Sequence, residues 1–222
     1  MNDSASLASF IDKWRQRWPE WALVAVFVPV AQRQRVAAWF ALLQELRDAA
    51  WRGSDPAPGL AKLAWWQEEL RGWSRGARRH PLGDTLQKLD APWGVLASSL
   101  SALPATRRPA SADDDASALE SFASAVLACE AALFDGPAPT AEDIAALAAC
   151  ERIERALEQG ETAPALPQVP PHGRATSMTG PRRLQRVVLR ERLRMLAKHP
   201  SAPARMPALR LLFAGWRAAR GA

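Results

Sequence analysis

Apolar and polar positions alternate at helical spacing most clearly between residues 36 and 86. Val36, Trp39, Phe40, Leu43 and Leu46 recur every three to four positions, while Arg35, Gln44, Arg47 and Asp48 fall on the other side. The Gly- and Pro-rich run RGSDPAPG at 52–59 ends that helix. A second helix is predicted over 60–75, with Leu63, Trp66, Leu70 and Trp73 on one face and Glu68, Glu69 and Arg71 among the others. His80-Pro81 opens a further short helix through Thr85 and Leu86.

The same pattern, more weakly, runs through the rest of the chain. Residues 6–18 read as an amphipathic helix with Leu7, Phe10, Ile11 and Trp14 on one face, ended by Pro19. Residues 21–28 alternate well enough for a strand, but no second strand of comparable quality exists to complete a ladder, so a buried helical segment is expected. Pro29 suits the first turn of the helix that follows. Residues 92–103 are apolar, and 104–115 read as a polar linker. Asp115 or Ser117 is expected to cap a helix through Leu119, Phe122, Val126, Cys129 and Leu133, which the Asp-Gly-Pro at 135–137 terminates. Thr140 and Asp143 form a capping-box start for a helix carrying Ile144, Leu147, Ala148 and Leu157. Residues 160–181 are expected to be irregular, and two basic helices, 182–198 and 208–220, follow. With no internal repeat and no convincing strand, the expected class is all-α: six to nine helices in one bundle, a single domain over 1–222.

Composition narrows the function more than the fold. An apolar share of 48% with only 12 Gly fits a packed globular chain. The 10 Trp without Tyr, and the preference for Arg over Lys, are what a GC-rich coding bias produces. A net charge of +6 and a pI of 10.3 favour acidic partners: an anionic membrane surface, nucleic acid or a phosphorylated small molecule. The opening MNDSASLASF lacks the basic and apolar regions of a signal peptide. The most apolar run, 21–30, is broken by Pro29 and falls short of the roughly 20 residues that span a bilayer. A cytoplasmic chain with peripheral membrane contact is expected. Cys129 and Cys150, in Ala-rich helices without CxxC spacing, read as buried free thiols.

Candidate chemistry is sparse. His80, His172 and His199 lie beside or near prolines and share no metal-ligand spacing, which suits exposed or capping roles. The glycines are dispersed and follow no strand, so no phosphate loop is readable. Residues 182–198, PRRLQRVVLRERLRMLAKH with its flanks, form a basic amphipathic pattern. Arg182, Arg183, Arg186, Arg190, Arg192, Arg194 and Lys198 give either a solvated face over inward Leu189, Leu193 and Leu196 or an anionic-membrane contact. Glu191 and the lack of stacking aromatics weigh against nucleic acid. Glu154 and Glu158, four apart, share a helix face and could hold Mg²⁺, or simply be solvated beside Arg152 and Arg155.

The segments AAWFALLQELRDAAW, LAKLAWWQEEL and HPLGDTL together resemble the N-terminal part of the squalene/phytoene synthase family. Glu45, Leu63, Trp65 or Trp66, His80, Pro81 and Leu86 stand in the order and approximate spacing of that family over about 50 residues. The resemblance implies an all-α isoprenoid-synthase bundle that joins two prenyl diphosphates head to head. It also implies Mg²⁺ held by two facing aspartate-rich motifs, because diphosphate leaves poorly until cations neutralise it.

This sequence departs from the family at those motifs. Ungapped placement puts Arg47 and Trp51 where the first two aspartates belong, with Asp48 between them. Arg47 would repel Mg²⁺ but could pair with phosphate, and Trp51 would fill ligand space. Counting back from Leu166-Pro167 places Glu154 and Glu158 at the second motif. The chain is also short for the family, with its last helices trimmed or rearranged. The reading is a non-catalytic or altered member that keeps the scaffold and binds a prenyl, other lipid or protein partner. Glu45, Arg47, Asp48, Trp51, Glu154 and Glu158 would then line its cavity, the two glutamates being the candidate metal ligands. Two alternatives stand beside it: an active Mg²⁺-dependent prenyl-diphosphate transferase, and a basic helical protein on an anionic membrane or nucleic acid.

Overall fold

The computed structural model describes residues 2–161, 177–198 and 207–220. Among these, every regular element is helical: α1 (Asn2–Arg17), α2 (Trp21–Val24), α3 (Arg33–Trp51), α4 (Ala57–Trp73), α5 (Gly83–Leu86), α6 (Trp93–Ser99), α7 (Ala112–Leu133), α8 (Ala141–Glu158), α9 (Gly180–Lys198) and α10 (Ala208–Ala219). Tight 3₁₀ turns over Ala25–Phe27, Val30–Gln32 and Leu100–Arg107 join some of them. The all-α expectation and the helical reading of 21–28 therefore hold. Pro29 begins the turn Val30–Gln32 instead of opening α3.

α3 is the axis. It touches α1, α4, α5, α8 and the Leu100–Arg107 turn, and from Val36 to Trp51 all its residues except Asp48 are buried. A helix enclosed in this way has no solvent face, which corrects the two-sided reading of its sequence. Gln44, Glu45 and Arg47 are buried polar groups that must find partners inside the bundle. α4 crosses α3 closely at Gly59, where a Cβ would lie 2.2 Å from the Ala49 carbonyl oxygen.

Helix ends follow local chemistry. Thr140 and Asp143 form the expected capping box on α8. α7 starts earlier than expected. Ser111 accepts from the Asp114 backbone N–H, so part of the anticipated 104–115 linker is a 3₁₀ turn and helix, and Asp115 is free to point inward. The left-handed φ of +52° at Asp135 ends α7.

The apolar residues form one continuous core that takes in most of the tryptophans. Their indole N–H groups are hydrogen-bond donors to the interior: Trp18 to Gln44, Trp21 to Gln185, Trp39 to Glu130, Trp51 to Thr106 and Trp73 to Glu69. α7 alone among the described helices is long and apolar enough to cross a membrane, and half of its apolar window is buried against the bundle. Its packing on α6, α8 and the Leu100–Arg107 turn makes it a core helix.

Candidate functional site

Where α3, α7, α8 and α9 meet, the bundle interior is ionic. Arg47 of α3 donates from Nε to Glu151 Oε2 at 2.8 Å and from Nη2 to Glu151 Oε1, while Nη1 lies 2.8 Å from Glu154 Oε2. Arg182 of α9 forks onto Glu130 of α7, with Nε 3.0 Å from Oε1 and 3.1 Å from Oε2. Trp39 Nε1 gives Glu130 a further bond at 2.7 Å. Gln185 links the remaining parts: it donates to Glu154 and accepts from Trp21 Nε1. All of these side chains are buried. Fork-to-fork arginine–carboxylate geometry of this kind satisfies both charges and fixes their orientation.

The electrostatics follow from enclosure. Burial works against the charged form of Arg47 and of Arg182, yet the carboxylates facing them raise both guanidinium pKa values above the ordinary one. Burial also raises Glu154, and adjacent Glu151 adds to this, against the pull of Arg47. Cys150 lies within the field of the same groups, its thiol pushed up to about 11 mainly by burial.

Around this centre sits a rim formed by α1, α3, α4 and α8. Glu45 accepts from Lys13 and Lys62, both at 2.5 Å, and these bonds hold its carboxyl below the usual range in spite of burial. Asp48 lies 3.3 Å from both Lys13 and Arg52 and accepts from Gln44 at 2.8 Å. Glu158 pairs with Arg17 and accepts from Gln44 at 3.1 Å. Trp51 turns elsewhere, donating to Thr106 Oγ1 at 3.0 Å.

The six sequence candidates thus divide. Arg47 and Glu154 meet directly, and Asp48 and Glu158 are bridged by Gln44. Trp51 is not part of this meeting. Neither glutamate is solvated: Glu154 is buried, and so is Arg155, which pairs with Asp115. The expected positive face of 182–198 is also corrected. Arg182 and Arg186 are among the largest fully buried side chains, Arg183 and Arg190 are half-buried, and the exposed residues of α9 lie in its last turns. Glu130, Glu151 and Gln185 were not anticipated. Glu130 alone carried a plain signal, since it interrupts the apolar stripe of Val126, Leu127, Leu133 and Phe134.

His80, from the resemblance segment, is half-buried among Phe10, Trp65 and Trp66, with ring centroids 4.4, 5.9 and 4.5 Å away. Its Nδ1 accepts from the Leu82 backbone N–H at 3.2 Å, a capping role as expected. Burial pushes its pKa down to about 4, outweighing the nearby Glu45 and Glu69 charges. Glu69 anchors this corner by accepting from the Arg79 and His80 backbone N–H groups and from Trp73. His172, His199 and the Leu166-Pro167 landmark lie outside the described residues. Cys129 and Cys150 are free and buried.

A wide concavity lies away from the ionic centre. A cleft of about 560 Å³ lies between α1, α2 and the start of α3. Trp14, Trp18, Trp21, Val28 and Val36 form its apolar walls, and Arg15 and Arg33 stand among its lining.

Neither known protein families, nor characterised proteins, nor solved structures match this chain. The donor chemistry can still be tested against Mg²⁺. Each candidate carboxylate is already engaged by a cation of the chain: Glu45 by Lys13 and Lys62, Asp48 by Lys13 and Arg52, Glu154 by Arg47, and Glu158 by Arg17. Among the described residues, no set of three or more His, Cys, Asp or Glu side chains is arranged around a common point. A Mg²⁺ ion at Glu154 would have to displace a guanidinium 2.8 Å away, so these residues do not fit the ion.

Proposed function

We propose that this chain is a squalene/phytoene synthase-like helical protein, cytoplasmic and without prenyl-transfer chemistry, that works by binding an apolar prenyl or lipid-type ligand. The observation that carries the reading is Arg47 lodged between Glu151 and Glu154. In an isoprenoid synthase the corresponding space would be open and lined with metal-binding carboxylates. Here a protein cation occupies it, and the acids around it are neutralised within the chain. Diphosphate departure assisted by Mg²⁺ has no place to occur.

The ligand site is the cleft between α1, α2 and α3. Its tryptophan and valine walls suit an isoprenoid or acyl chain, and Arg15 and Arg33 suit an anionic end group. The test is titration of the full chain with farnesyl diphosphate and with farnesol, with and without Mg²⁺. Binding that is independent of Mg²⁺, without turnover, and abolished by Ala22→Trp is expected, because Ala22 is exposed on the cleft wall and its enlargement fills the space. Mg²⁺-dependent turnover that Glu154→Ala removes would overturn the proposal. Failure of both ligands to bind would overturn the assignment of the cleft.

A further inference from the structure

The C-terminal helix α10 is amphipathic twice over. Leu211, Gly215 and Ala218 pack inward, and Gly215 sits so close to Phe27 and Val24 that a Cβ would meet the Phe27 ring at 3.0 Å. The opposite face should be polar, yet it carries Leu209, 83% exposed, Phe213, 62% exposed, and Trp216, 41% exposed. Their spacing of four and then three residues sets them in one row. The Phe213 and Trp216 rings stack at 5.9 Å, and the Arg220 guanidinium lies 4.4 Å over Trp216. On the turn Ala25–Phe27, against which α10 packs, Val26 is 57% exposed. Four of the seven large exposed apolar side chains among the described residues thus lie on α10 or on the turn beneath it.

Charge selects what covers this row. No acidic residue lies between positions 192 and 222, while α10 carries Arg210 and Arg217 and is followed directly by Arg220. Arg210 is engaged by Glu191 at 2.9 Å, leaving Arg217 and Arg220 as the exposed cations that flank the row. A second copy pairing through the same face would set these arginines against themselves. An anionic lipid surface meets both features at once: aromatic and aliphatic side chains enter the headgroup–acyl boundary, and arginines pair with lipid phosphates.

We propose that α10, through Leu209, Phe213 and Trp216 and the flanking Arg217 and Arg220, docks this protein on an anionic membrane surface. The contact is peripheral, made by one exposed helix face. It also places membrane contact on a different helix from the basic stretch 182–198, whose Arg182 and Arg186 are committed to the interior.

Cosedimentation of the full chain with vesicles tests this. One set is pure phosphatidylcholine, and the other contains about a third phosphatidylglycerol. Binding to the anionic vesicles is expected to exceed binding to neutral ones by about tenfold or more, and to weaken as salt is raised. The double variant Phe213→Asp/Trp216→Asp, and separately Leu209→Ser, are expected to lower that binding, the former by about tenfold or more. Val95→Asp, exposed on α6 away from the row, is expected to leave it unchanged. Equal binding to both vesicle types, absence of binding, undiminished binding by both α10 variants, or a solution dimer that Leu209→Ser dissociates would each overturn the proposal.

Discussion

Arg47 and Glu151 face each other across the middle of the bundle as a two-bond fork, Nε 2.8 Å from Oε2 and Nη2 bonded to Oε1, and neither side chain reaches solvent. The arginine stands on the axial helix, so the pair is central to packing as well as to charge. Removing one partner of such a pair leaves a buried charge without compensation, whereas removing both removes the problem with it. Arg47→Met is therefore expected to lower unfolding free energy by about 3–5 kcal/mol in urea titration. Adding Glu151→Met should restore part of that loss, while Glu154, the other partner of Arg47, stays buried without its guanidinium. A cycle in which the two losses simply add would show that the pair is not coupled.

The sign of the pH dependence in Arg47→Met follows from Glu154. Its folded pKa is raised above the unfolded value, chiefly by burial, and loss of Arg47 raises it further. A folded state that binds protons more tightly than the unfolded one gains stability as pH falls. The single variant should therefore recover part of its lost stability between neutral pH and the carboxylate range, measured as the urea midpoint at successive pH values. A midpoint that declines over that interval would contradict the assignment.

Gly59 sets how closely α3 and α4 approach. A Cβ there would lie 2.2 Å from a backbone oxygen of Ala49, and a backbone atom cannot rotate out of the way as a side chain can. Gly59→Ala must push the helices apart and loosen the contacts between them. A loss of at least about 2 kcal/mol is expected, although the same substitution in an isolated helix is favourable. A variant as stable as the parent would show that the crossing is more tolerant than its geometry implies.

The helices were legible in the sequence because spacing reports which face is apolar. Leu63, Trp66, Leu70 and Trp73 are buried together as expected, and Thr140 with Asp143 caps α8. What spacing cannot report is the environment of the other face. Arg182 and Arg186 read as solvated because arginines usually are. Arg182 lies inside because Glu130, Glu151 and Glu154, on helices distant in sequence, supply opposite charge at the same depth, and Arg186 is buried beside Met178, to whose sulfur it donates at 3.2 Å. Arg47 was conspicuous only as a departure from the resembled motif, and its partner Glu151 lay one helical turn before the glutamate singled out. The cleft was not legible at all, since it forms where α1 and the short α2 fail to close over the start of α3.

Both thiols should be silent in the folded protein. Burial raises Cys129 and Cys150 well above the ordinary thiol range, and thiolate is the reactive form. Ellman's reagent is expected to react with neither cysteine under native conditions and with both after denaturation. Rapid native labelling of either would indicate opening of α7 or α8 from the core.

His80 supplies the clearest pH signature of the resemblance segment. Its ring is enclosed by Phe10, Trp65 and Trp66, and burial lowers its pKa from 6.5 to about 4. Glu45 and Glu69 act in the opposite direction, and Lys62 adds to the lowering. Because the unfolded histidine takes up its proton first, the folded state holds fewer protons between these values, and stability rises with pH across that interval. The contribution is full above pH 6.5 and is lost as pH falls towards 4. His80→Phe keeps an aromatic ring but cannot titrate or accept from the Leu82 N–H, so it should lower the neutral-pH plateau by about 1 kcal/mol. The difference in stability between parent and variant should then shrink as pH drops through the same window. NMR titration of the His80 ring with a midpoint near 6.5, or a parent–variant difference that is flat over that window, would show the ring to be solvated and the aromatic enclosure to be open.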